Sequence, residues 1–461
     1  MAILIFIATF NIQNSRHVVI KKIKQAIPAS IKFKIRAFKF KTIDAFKRKK
    51  LAKTMEKKHE ELLANLSGKK KIRIIIIAFA KNVWKIDFLY KKLLRQKYFE
   101  PVILVAPIVS RGEDYMFKTM NKLCSFLIER NYNVISAYNE KTKKWLTIKE
   151  LSPDILFFLN PHKLTLTNYY EDAYLNYLSC YFPYHHEGDT NAKDFIQYDQ
   201  PFHNAMWKIF TSNEASYNDY KKTCQTKGKN VELVGYTFME EYFEKLENNT
   251  FENPWKNKDF RKRIIWAPHH TILEDGRKKM SNFLEYAELF KELAIKYQDK
   301  IVWAFKPHPG LKSKLSSNTV WGEEKTNEYY NFWKNQEYTQ LEEGYYIDLF
   351  HYSDAMIHDS GSFLNEYMYF RKPVLYLLSN KKKPYYNQFG LDALKACRIA
   401  FKFCEIQDFI NNLLTDNLKI TKQHELYYKN NLMSYFETTK PSDKIIQIIE
   451  DSFRKRFDEE V

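Results

Sequence analysis

Three short segments in the second half of the chain combine histidine, lysine, serine and acidic residues in patterns that suit binding of a phosphate group. They are Trp266–Thr271 (WAPHHT), Lys306–Gly310 (KPHPG) and His358–Ser362 (HDSGS). Each follows a short apolar run typical of a buried strand. Because ligands bind beyond the carboxyl ends of strands in open α/β sheets, we expect the three segments to form one site. Its cation and imidazoles would face a diphosphate.

In KPHPG, two prolines fix the backbone and would aim Lys306 and His308 in set directions. An ammonium group and an imidazole at such fixed positions suit a pyrophosphate. The alternative is a rigid turn that binds nothing, although such a turn requires neither side chain.

In WAPHHT, the adjacent His269 and His270 should point in different directions on an extended chain, which does not suit one metal ion. One of them would face the cleft and bind a phosphate or a base. The alternative is that both cap the turn that follows.

In HDSGS, the sequence predicts a helix that Ser362 caps, and Gly361 would let the backbone approach a ligand closely. The free amides of the first helical turn then favour an anion. Glu366, one turn further on, would reach a ribose hydroxyl. A capped helix without a ligand is the alternative. The sequence has neither a P-loop nor a metal-supporting Asp-x-Asp, so we predict no metal and no other cofactor.

These segments belong to a pattern in which apolar runs alternate with helix-length polar stretches, which predicts parallel sheets. The predicted strands are Ile72–Ala80, Val102–Pro107, Val134–Tyr138, Ile155–Asn160, Val231–Gly235, Arg263–Pro268, Ile301–Phe305, Tyr345–Asp348, Ala355–Ile357 and Val374–Leu378. The predicted helices are Asp114–Tyr132, Asn282–Tyr297, Ser362–Phe370 and Ser442–Val461. The expected fold class is therefore α/β, with two Rossmann-like domains and a cleft between them, the GT-B plan.

The polar stretch Asn248–Asp259 divides the two halves of this pattern. We expect a basic helical segment over residues 1–68, a Rossmann-like acceptor domain over 69–247, a Rossmann-like nucleotide-donor domain over 260–440 and a closing helix over 441–461.

The N-terminal segment carries most of the charge. Residues 1–58 contain sixteen Lys and Arg against two acids, a net +14 of the formal +19. The apolar run Met1–Phe10 is shorter than the roughly 20 residues that cross a bilayer. Further on, lysines surround a stripe of apolar residues. The stripe consists of Ile31, Ile35, Phe38, Ala45 and Phe46. We predict peripheral binding to an anionic membrane surface. The alternatives are a helix packed on the protein's own body and nucleic-acid binding; no nucleic-acid-binding motif is present, so we expect no nucleic-acid partner.

Residues Cys180 to Leu378 resemble the CDP-glycerol glycerophosphotransferases, which include teichoic-acid polymerases and capsule-synthesis proteins. The resemblance rests on WAPHHT, on KPHP and on the block Asp348–Tyr376. It implies a GT-B-like fold, a peripheral position on the cytoplasmic face of the membrane, and transfer of glycerol phosphate from CDP-glycerol without a catalytic metal. The acceptor would be a polymer or its lipid-linked precursor.

The resemblance also implies roles for individual residues. His308 would contact the donor diphosphate, and Ser360, Gly361 and Ser362 would bind phosphate, with Asp359 as the acid of that motif. The nearest match to the family's His-Gly motif is Tyr184–Gly188 (YHHEG), so His185 or His186 would be the base. Gly361 replaces a serine of the family and Glu187 interrupts the His-Gly pair, so a sugar-phosphate or polyol-phosphate donor stays open.

Two other functions are compatible with the sequence. One is a glycosyltransferase of the same fold that attacks an anomeric carbon. The other is a non-enzymatic protein that binds membranes or polyanions, which would be favoured if His308 and Ser362 lay far from a cleft.

Overall fold

A computed structural model describes residues 38–188, 197–273, 279–378 and 386–454 of the chain. The apolar run Met1–Phe10 and the start of the predicted stripe, Ile31 and Ile35, lie outside the described residues. Structural statements below refer to the described part.

The first sheet is parallel and has seven strands in the order β3-β2-β1-β6-β7-β8-β9. Its strands are β1 (Ile72–Ala78), β2 (Phe99–Val105), β3 (Val134–Ser136), β6 (Ile155–Phe158), β7 (Leu178–Tyr181), β8 (Lys208–Thr211) and β9 (Val231–Leu233), and a small antiparallel pair joins β4 (Tyr138–Asn139) to β5 (Lys144–Trp145). In β1, the four isoleucines from Ile74 to Ile77 are fully buried. A continuous apolar run of this kind forms a strand that is covered on both faces.

The second sheet is also parallel and has six strands in the order β12-β11-β10-β13-β14-β15. Its strands are β10 (Lys262–Ala267), β11 (Ile301–Phe305), β12 (Thr339–Leu341), β13 (Ala355–His358), β14 (Val374–Leu377) and β15 (Arg398–Ala400). The strand β10 pairs with β11 on one side and with β13 on the other. The three segments that carry the predicted chemistry therefore follow neighbouring strands.

The α-helices pack against these sheets. In chain order they are α1 (Ile43–Ala64), α2 (Asp87–Arg95), α3 (Glu113–Ile128), α4 (Glu171–Asn176), α5 (Pro201–Ala205), α6 (Glu214–Thr223), α7 (Glu240–Asn248), α8 (Phe283–Lys296), α9 (Leu311–Leu315), α10 (Gly322–Asn335), α11 (Ile347–Tyr352), α12 (Gly361–Glu366), α13 (Gln388–Ala396), α14 (Phe403–Leu414), α15 (Lys422–Tyr427) and α16 (Pro441–Arg454).

One predicted strand, Tyr345–Asp348, is wrong. The chain there enters α11, whose Ile347 and Phe350 are fully buried one turn apart. The short apolar run was interpreted as a strand, but its buried residues have the three-residue spacing of a helix. The edge strand in this region is β12, whose neighbour is β11.

The chain passes between two hydrophobic cores more than once. Val234 belongs to the core of the first sheet, whereas Tyr236 already belongs to the core of the second. Three isoleucines of α16, Ile445, Ile446 and Ile449, then return to the first core. The crossing into the second core therefore precedes the predicted linker Asn248–Asp259.

The basic helix α1 packs one face on the first core. Met55 and His59 are buried, and the buried Arg48 guanidinium forms an ion pair with Asp199 at 2.8 Å. Other apolar side chains at its start stay exposed, with Phe38 at 69% and Phe46 at 74%. Part of the basic segment is thus integrated into the fold. Within the described ranges, no helix is both long enough and apolar enough to span a membrane.

Candidate functional site

Three imidazoles lie together at the carboxyl edge of the second sheet. His269 and His270 follow β10, and His308 follows β11. The ring centroids of His269 and His270 are 4.3 Å apart, those of His270 and His308 are 4.0 Å apart, and those of His269 and His308 are 4.9 Å apart. The structure therefore brings together the histidines of two of the three sequence segments.

Hydrogen bonds around these rings indicate which nitrogen carries the proton. The backbone N–H of Gly310 donates to Nδ1 of His308 at 3.0 Å. The backbone N–H of Thr271 donates to Nδ1 of His269 at 3.4 Å, and Thr271 Oγ1 lies 2.8 Å from the same nitrogen. A neutral imidazole whose Nδ1 accepts carries its proton on Nε2. We therefore assign His269 and His308 as Nε2–H donors.

Burial keeps the rings of His308 and His269 neutral. It lowers the pKa of His308 to about 3, with help from the nearby His270 and Lys314. Burial, followed by His308 and His270, holds the pKa of His269 well below its usual range. An anion placed against these rings would oppose this effect and raise the pKa of each.

The same three histidines are the one group within the described ranges whose ligand atoms could surround a metal ion, since these atoms lie within 4.8 Å of one another. The expectation that His269 and His270 point in different directions is thus incorrect for their rings. However, a metal bound to Nε2 would need the other tautomer and would break the hydrogen bonds to Nδ1. The arrangement fits N–H donation to an anion better than metal binding.

Asp359 lies beneath this histidine cluster and is fully enclosed by donors. Its carboxylate accepts from the His269 N–H at 2.6 Å, from Ser281 Oγ at 3.0 Å and from the Asn282 N–H at 2.7 Å. Burial raises the pKa of this carboxyl to about 7. Asp359 therefore positions the His269 loop and the start of α8, and its oxygens do not face an open space.

The serine segment is shifted by two residues relative to the prediction. The helix α12 begins at Gly361, so its N-cap is Ser360 and not Ser362, which lies half-buried in the first turn. The Ser360 side chain forms no capping bond, and its N–H donates to Nδ1 of His358 at 3.2 Å.

Glu366 does not face a ribose site. Its buried carboxylate accepts from the hydroxyl of Tyr236 at 2.7 Å and also from the hydroxyl of Tyr346. The predicted ribose contact would require both tyrosines to move. Glu366 instead holds the two tyrosines in place.

Two lysines meet at Tyr346, one from each half of the chain. Lys306 is buried, donates to the carbonyl of Gly344 at 2.9 Å and lies 5.2 Å from the centre of the Tyr346 ring. Lys85 lies 4.2 Å from the centre of the same ring and donates to the Tyr346 hydroxyl at 2.5 Å. Burial lowers the pKa of both ammonium groups, that of Lys306 to about 8. A buried and a half-buried cation of this kind favour an anionic ligand.

Sequence reasoning missed Lys85. The available signal was its position seven residues after the carboxyl end of the buried strand β1, the edge at which ligands bind.

The two candidate bases of the first half have different surroundings. His186 is buried, with Nδ1 2.8 Å from Ser212 Oγ and Nε2 3.1 Å from the Tyr369 hydroxyl. Both of its nitrogens are used inside the protein. His185 is only half-buried, and its Nδ1 has no hydrogen-bond partner in the described part of the chain. Burial, followed by His162 and Lys85, lowers the pKa of His185 to about 4. Of the two, His185 is available to a substrate.

The backbone of Glu187 and Gly188 joins the two halves, and the Glu187 carbonyl accepts from Asn387 Nδ2 at 3.2 Å. The buried Glu187 carboxylate accepts from Thr211 Oγ1 at 2.9 Å and from the Tyr220 hydroxyl at 3.0 Å. The Gly188 carbonyl accepts from the Asn387 N–H of the second half at 2.9 Å. A Cβ atom at Gly188 would lie only 2.6 Å from Asn365 Nδ2. The glycine is thus required for close contact between the halves.

No protein family and no curated protein matches this sequence. Solved structures do match. A histidine-to-asparagine variant of the wall teichoic acid polymerase TagF, soaked with CDPG, has a TM-score of 0.53 at 12% identity and covers 94% of this chain and 100% of its own. UDP-GlcNAc 2-epimerase from Neisseria meningitidis, bound to UDP-GlcNAc, has a TM-score of 0.51 at 13% identity and covers 83% of this chain and 100% of its own. At these identities the likeness shows the fold, which is α/β and GT-B-like as predicted.

Proposed function

We propose that this chain is a transferase that moves glycerol phosphate, or a related polyol or sugar phosphate, from a CDP-activated donor to a hydroxyl group. The acceptor hydroxyl would belong to a cell-surface polymer or its lipid-linked precursor. In this proposal the acceptor binds the first domain, residues 69–247, and the donor binds the second, residues 260–440. The observation that carries the proposal is the cluster of imidazole N–H donors, together with the buried Lys306 and the half-buried Lys85.

A diphosphate explains the charge pattern of this cluster. Lys85 and Lys306 each contact aromatic rings, and neither forms an ion pair with a carboxylate in the described ranges. Two phosphate groups would add negative charge to that of Glu366, which already acts on both lysines, and would raise their lowered pKa values toward the usual value. The Nε2–H groups of His269 and His308 would donate to the phosphate oxygens.

The reaction would be an in-line substitution at the β-phosphorus of the donor. His185 takes the proton of the acceptor hydroxyl, and the acceptor oxygen forms a bond to phosphorus. The bond from this phosphorus to the bridging oxygen breaks, and CMP leaves with the electron pair. His308 and Lys306 stabilise the charge that develops on the leaving group. The bound diphosphate also raises the pKa of His185, which makes that ring a stronger base.

The likeness to the CDPG-soaked TagF structure supports a nucleotide-activated donor, and the resemblance of the sequence motifs to glycerophosphotransferases supports CDP-glycerol. We further propose that the protein is attached to the cytoplasmic face of the membrane through its N-terminal basic segment. The exposed Phe38, Ile43 and Phe46 beside lysines favour this attachment.

The test is a panel of nucleotide donors incubated with the purified protein, in which the released nucleotide is identified. Release of CMP from CDP-glycerol in the presence of an acceptor is expected. Release of UDP from a UDP-sugar would instead assign a glycosyltransferase, since attack at an anomeric carbon expels the whole nucleoside diphosphate. Turnover of none of the donors would favour a protein that binds membranes or polyanions without catalysis.

A further inference from the structure

A groove of about 360 Å³ lies between the basic helix α1 and two loops of the first sheet. The loops are residues 204–208, which lead into β8, and residues 225–230, which lead into β9. The groove therefore lies at the amino edge of the first sheet. His185 follows β7 at the opposite, carboxyl edge, so the groove is separate from the site described above. Its volume lies within the usual range for small-molecule sites.

The wall of the groove is positively charged. It contains five lysines and two glutamates: Lys49, Lys53, Lys208, Lys227, Lys229, Glu56 and Glu60. Lys208 pairs with Glu232 at 2.5 Å, and Lys229 pairs with Glu56 at 3.2 Å. The exposed Lys49, Lys53 and Lys227 form no ion pair in the described part of the chain. Three lysines are thus available to one anionic group.

Three buried polar atoms of the groove lack hydrogen-bond partners among the described residues. They are Nε2 of His59, Oγ1 of Thr226 and Oδ1 of Asn230. His59 and Asn230 are both buried, at 8% and 9% exposed. Leaving such atoms unsatisfied is costly, so a ligand that supplies partners is expected to bind.

Two of these atoms are acceptors. Nδ2 of Asn230 donates to the carbonyls of His203 and Met206, at 3.0 and 2.9 Å, which fixes Oδ1 as the free end of the amide. The ring of His59 is hydrogen-bonded to the backbone of Ala205, and burial lowers its pKa to about 4. His59 is therefore neutral, and its Nε2 offers a lone pair. Both atoms can therefore accept hydrogen bonds from hydroxyl groups of a ligand.

We propose that this groove binds a polyol phosphate, with the phosphate against Lys49, Lys53 and Lys227 and the hydroxyl groups donating to His59 and Asn230. Trp207 and Met55 form the apolar floor beneath the carbon chain. A soluble glycerol phosphate unit and the headgroup of phosphatidylglycerol share this chemistry. The proposal goes beyond the proposed transfer reaction and does not depend on it, because no residue of the histidine cluster takes part.

The first experiment measures binding of glycerol 3-phosphate and of inorganic phosphate by calorimetry. The double variant Lys53→Gln/Lys227→Gln should bind glycerol 3-phosphate at least about tenfold more weakly, since two charge-assisted contacts are lost. Lys57→Gln is the matched control, because Lys57 is exposed on the same helix but does not line the groove. Unchanged binding to the double variant, or no binding to the parent protein, would overturn the proposal.

A second variant tests the hydroxyl contacts. The parent protein should prefer glycerol 3-phosphate to inorganic phosphate, and His59→Phe should lose this preference while its thermal midpoint shows that it is folded. If the parent binds both probes equally, the polyol part of the proposal fails. These variants are remote from His308, so a protein that fails here can still turn over CDP-glycerol.

The source of the ligand is distinguished with vesicles. Sedimentation with phosphatidylglycerol vesicles is compared with sedimentation with phosphatidylserine vesicles, which carry similar charge but no polyol. Selective loss of binding to phosphatidylglycerol in the double variant supports a lipid headgroup. Loss confined to soluble glycerol 3-phosphate supports a soluble polyol phosphate, and equal loss with both kinds of vesicle overturns polyol recognition.

Discussion

At the scale of single residues, the chemistry depends on where protons sit in the histidine cluster. The Gly310 N–H holds His308 as an Nε2–H donor, aimed away from the backbone that fixes it. Replacing one donor to a developing negative charge typically costs about 10²–10³ in rate. We expect the turnover rate of His308→Ala to fall by this factor, with little change in its thermal midpoint. The turnover rate is measured as nucleotide release.

Ser362→Ala is the control for this variant. Ser362 is not the N-cap of α12, so the change should alter the free energy of unfolding by less than about 0.5 kcal/mol. Its effect on turnover should be much smaller than that of His308→Ala. Equal rates for His308→Ala and the parent would remove His308 from the mechanism.

Lys306 makes stability and binding depend on pH. Its pKa is lowered from 10.5 to about 8 by burial, so between these values the unfolded chain binds more protons than the folded protein. Stability contributed by this lysine therefore rises with pH from about 8 to 10.5, by about 3 kcal/mol at most. Urea unfolding over this range should show a steeper slope in the parent than in Lys306→Met, in which Lys372, whose pKa burial also lowers to about 8, still titrates.

A bound anion should act in the opposite direction. Saturating pyrophosphate raises the lowered pKa of Lys306 and should flatten the slope, and its affinity should fall as pH rises past about 8. An identical slope with and without pyrophosphate would show that the ligand does not reach this lysine.

At the scale of elements, the contact between the halves depends on Gly188. A methyl group there would meet Asn365 Nδ2 at 2.6 Å and Gly390 Cα at 3.5 Å. We expect Gly188→Ala to cost about 1–3 kcal/mol, as overpacking usually does, and to lower turnover because His185 lies three residues away. Gly344→Ala is the control, since no atom lies within 4 Å of its added Cβ. Equal thermal midpoints for the two variants would contradict the close approach.

Local patterns predicted the elements that bury long apolar runs. The strands β1, β2, β10 and β11 were found because their side chains are apolar on both faces. The strands β7, β8 and β15 were not, because the polar residues Ser179, Lys208 and Arg398 shorten their apolar runs. The start of α12 was misplaced because two serines, Ser360 and Ser362, offered equally good caps.

Only the part of the site that lies at the carboxyl edge of the second sheet was predicted from the sequence. The histidine cluster could be predicted because its residues follow neighbouring strands. Those strands are predicted by the alternation of apolar runs with helix-length polar stretches. Glu366 and His186 each have one partner from the opposite half of the chain, Tyr236 and Tyr369 respectively. The contact of Lys85 with Tyr346 also joins the two halves. Such contacts depend on how the two halves dock, and no local sequence pattern encodes that docking.

At the scale of the whole molecule, the basic N-terminal segment has two parts. Removing residues 1–37 should weaken sedimentation with anionic vesicles, because seven Lys and Arg are lost while Phe38, Ile43 and Phe46 remain. Removing residues 1–58 should destabilise the protein by about 3–5 kcal/mol, because Asp199 loses its buried partner Arg48. Part of the basic segment is therefore needed for stability. Equal sedimentation of the parent and the shorter deletion would contradict the membrane role.

The return of α16 to the first core has a consequence for synthesis on the ribosome. Ile445, Ile446 and Ile449 fill a core whose other members lie about two hundred residues or more earlier, and contacts of such long range slow folding. Ser442 also donates to the buried Glu240 through its N–H and hydroxyl, at 2.7 and 2.5 Å. The first half therefore emerges from the ribosome well before its core can close. A chain that stops at Lys440 should bind hydrophobic dyes and need a chaperone, whereas full-length chains released from the ribosome should not.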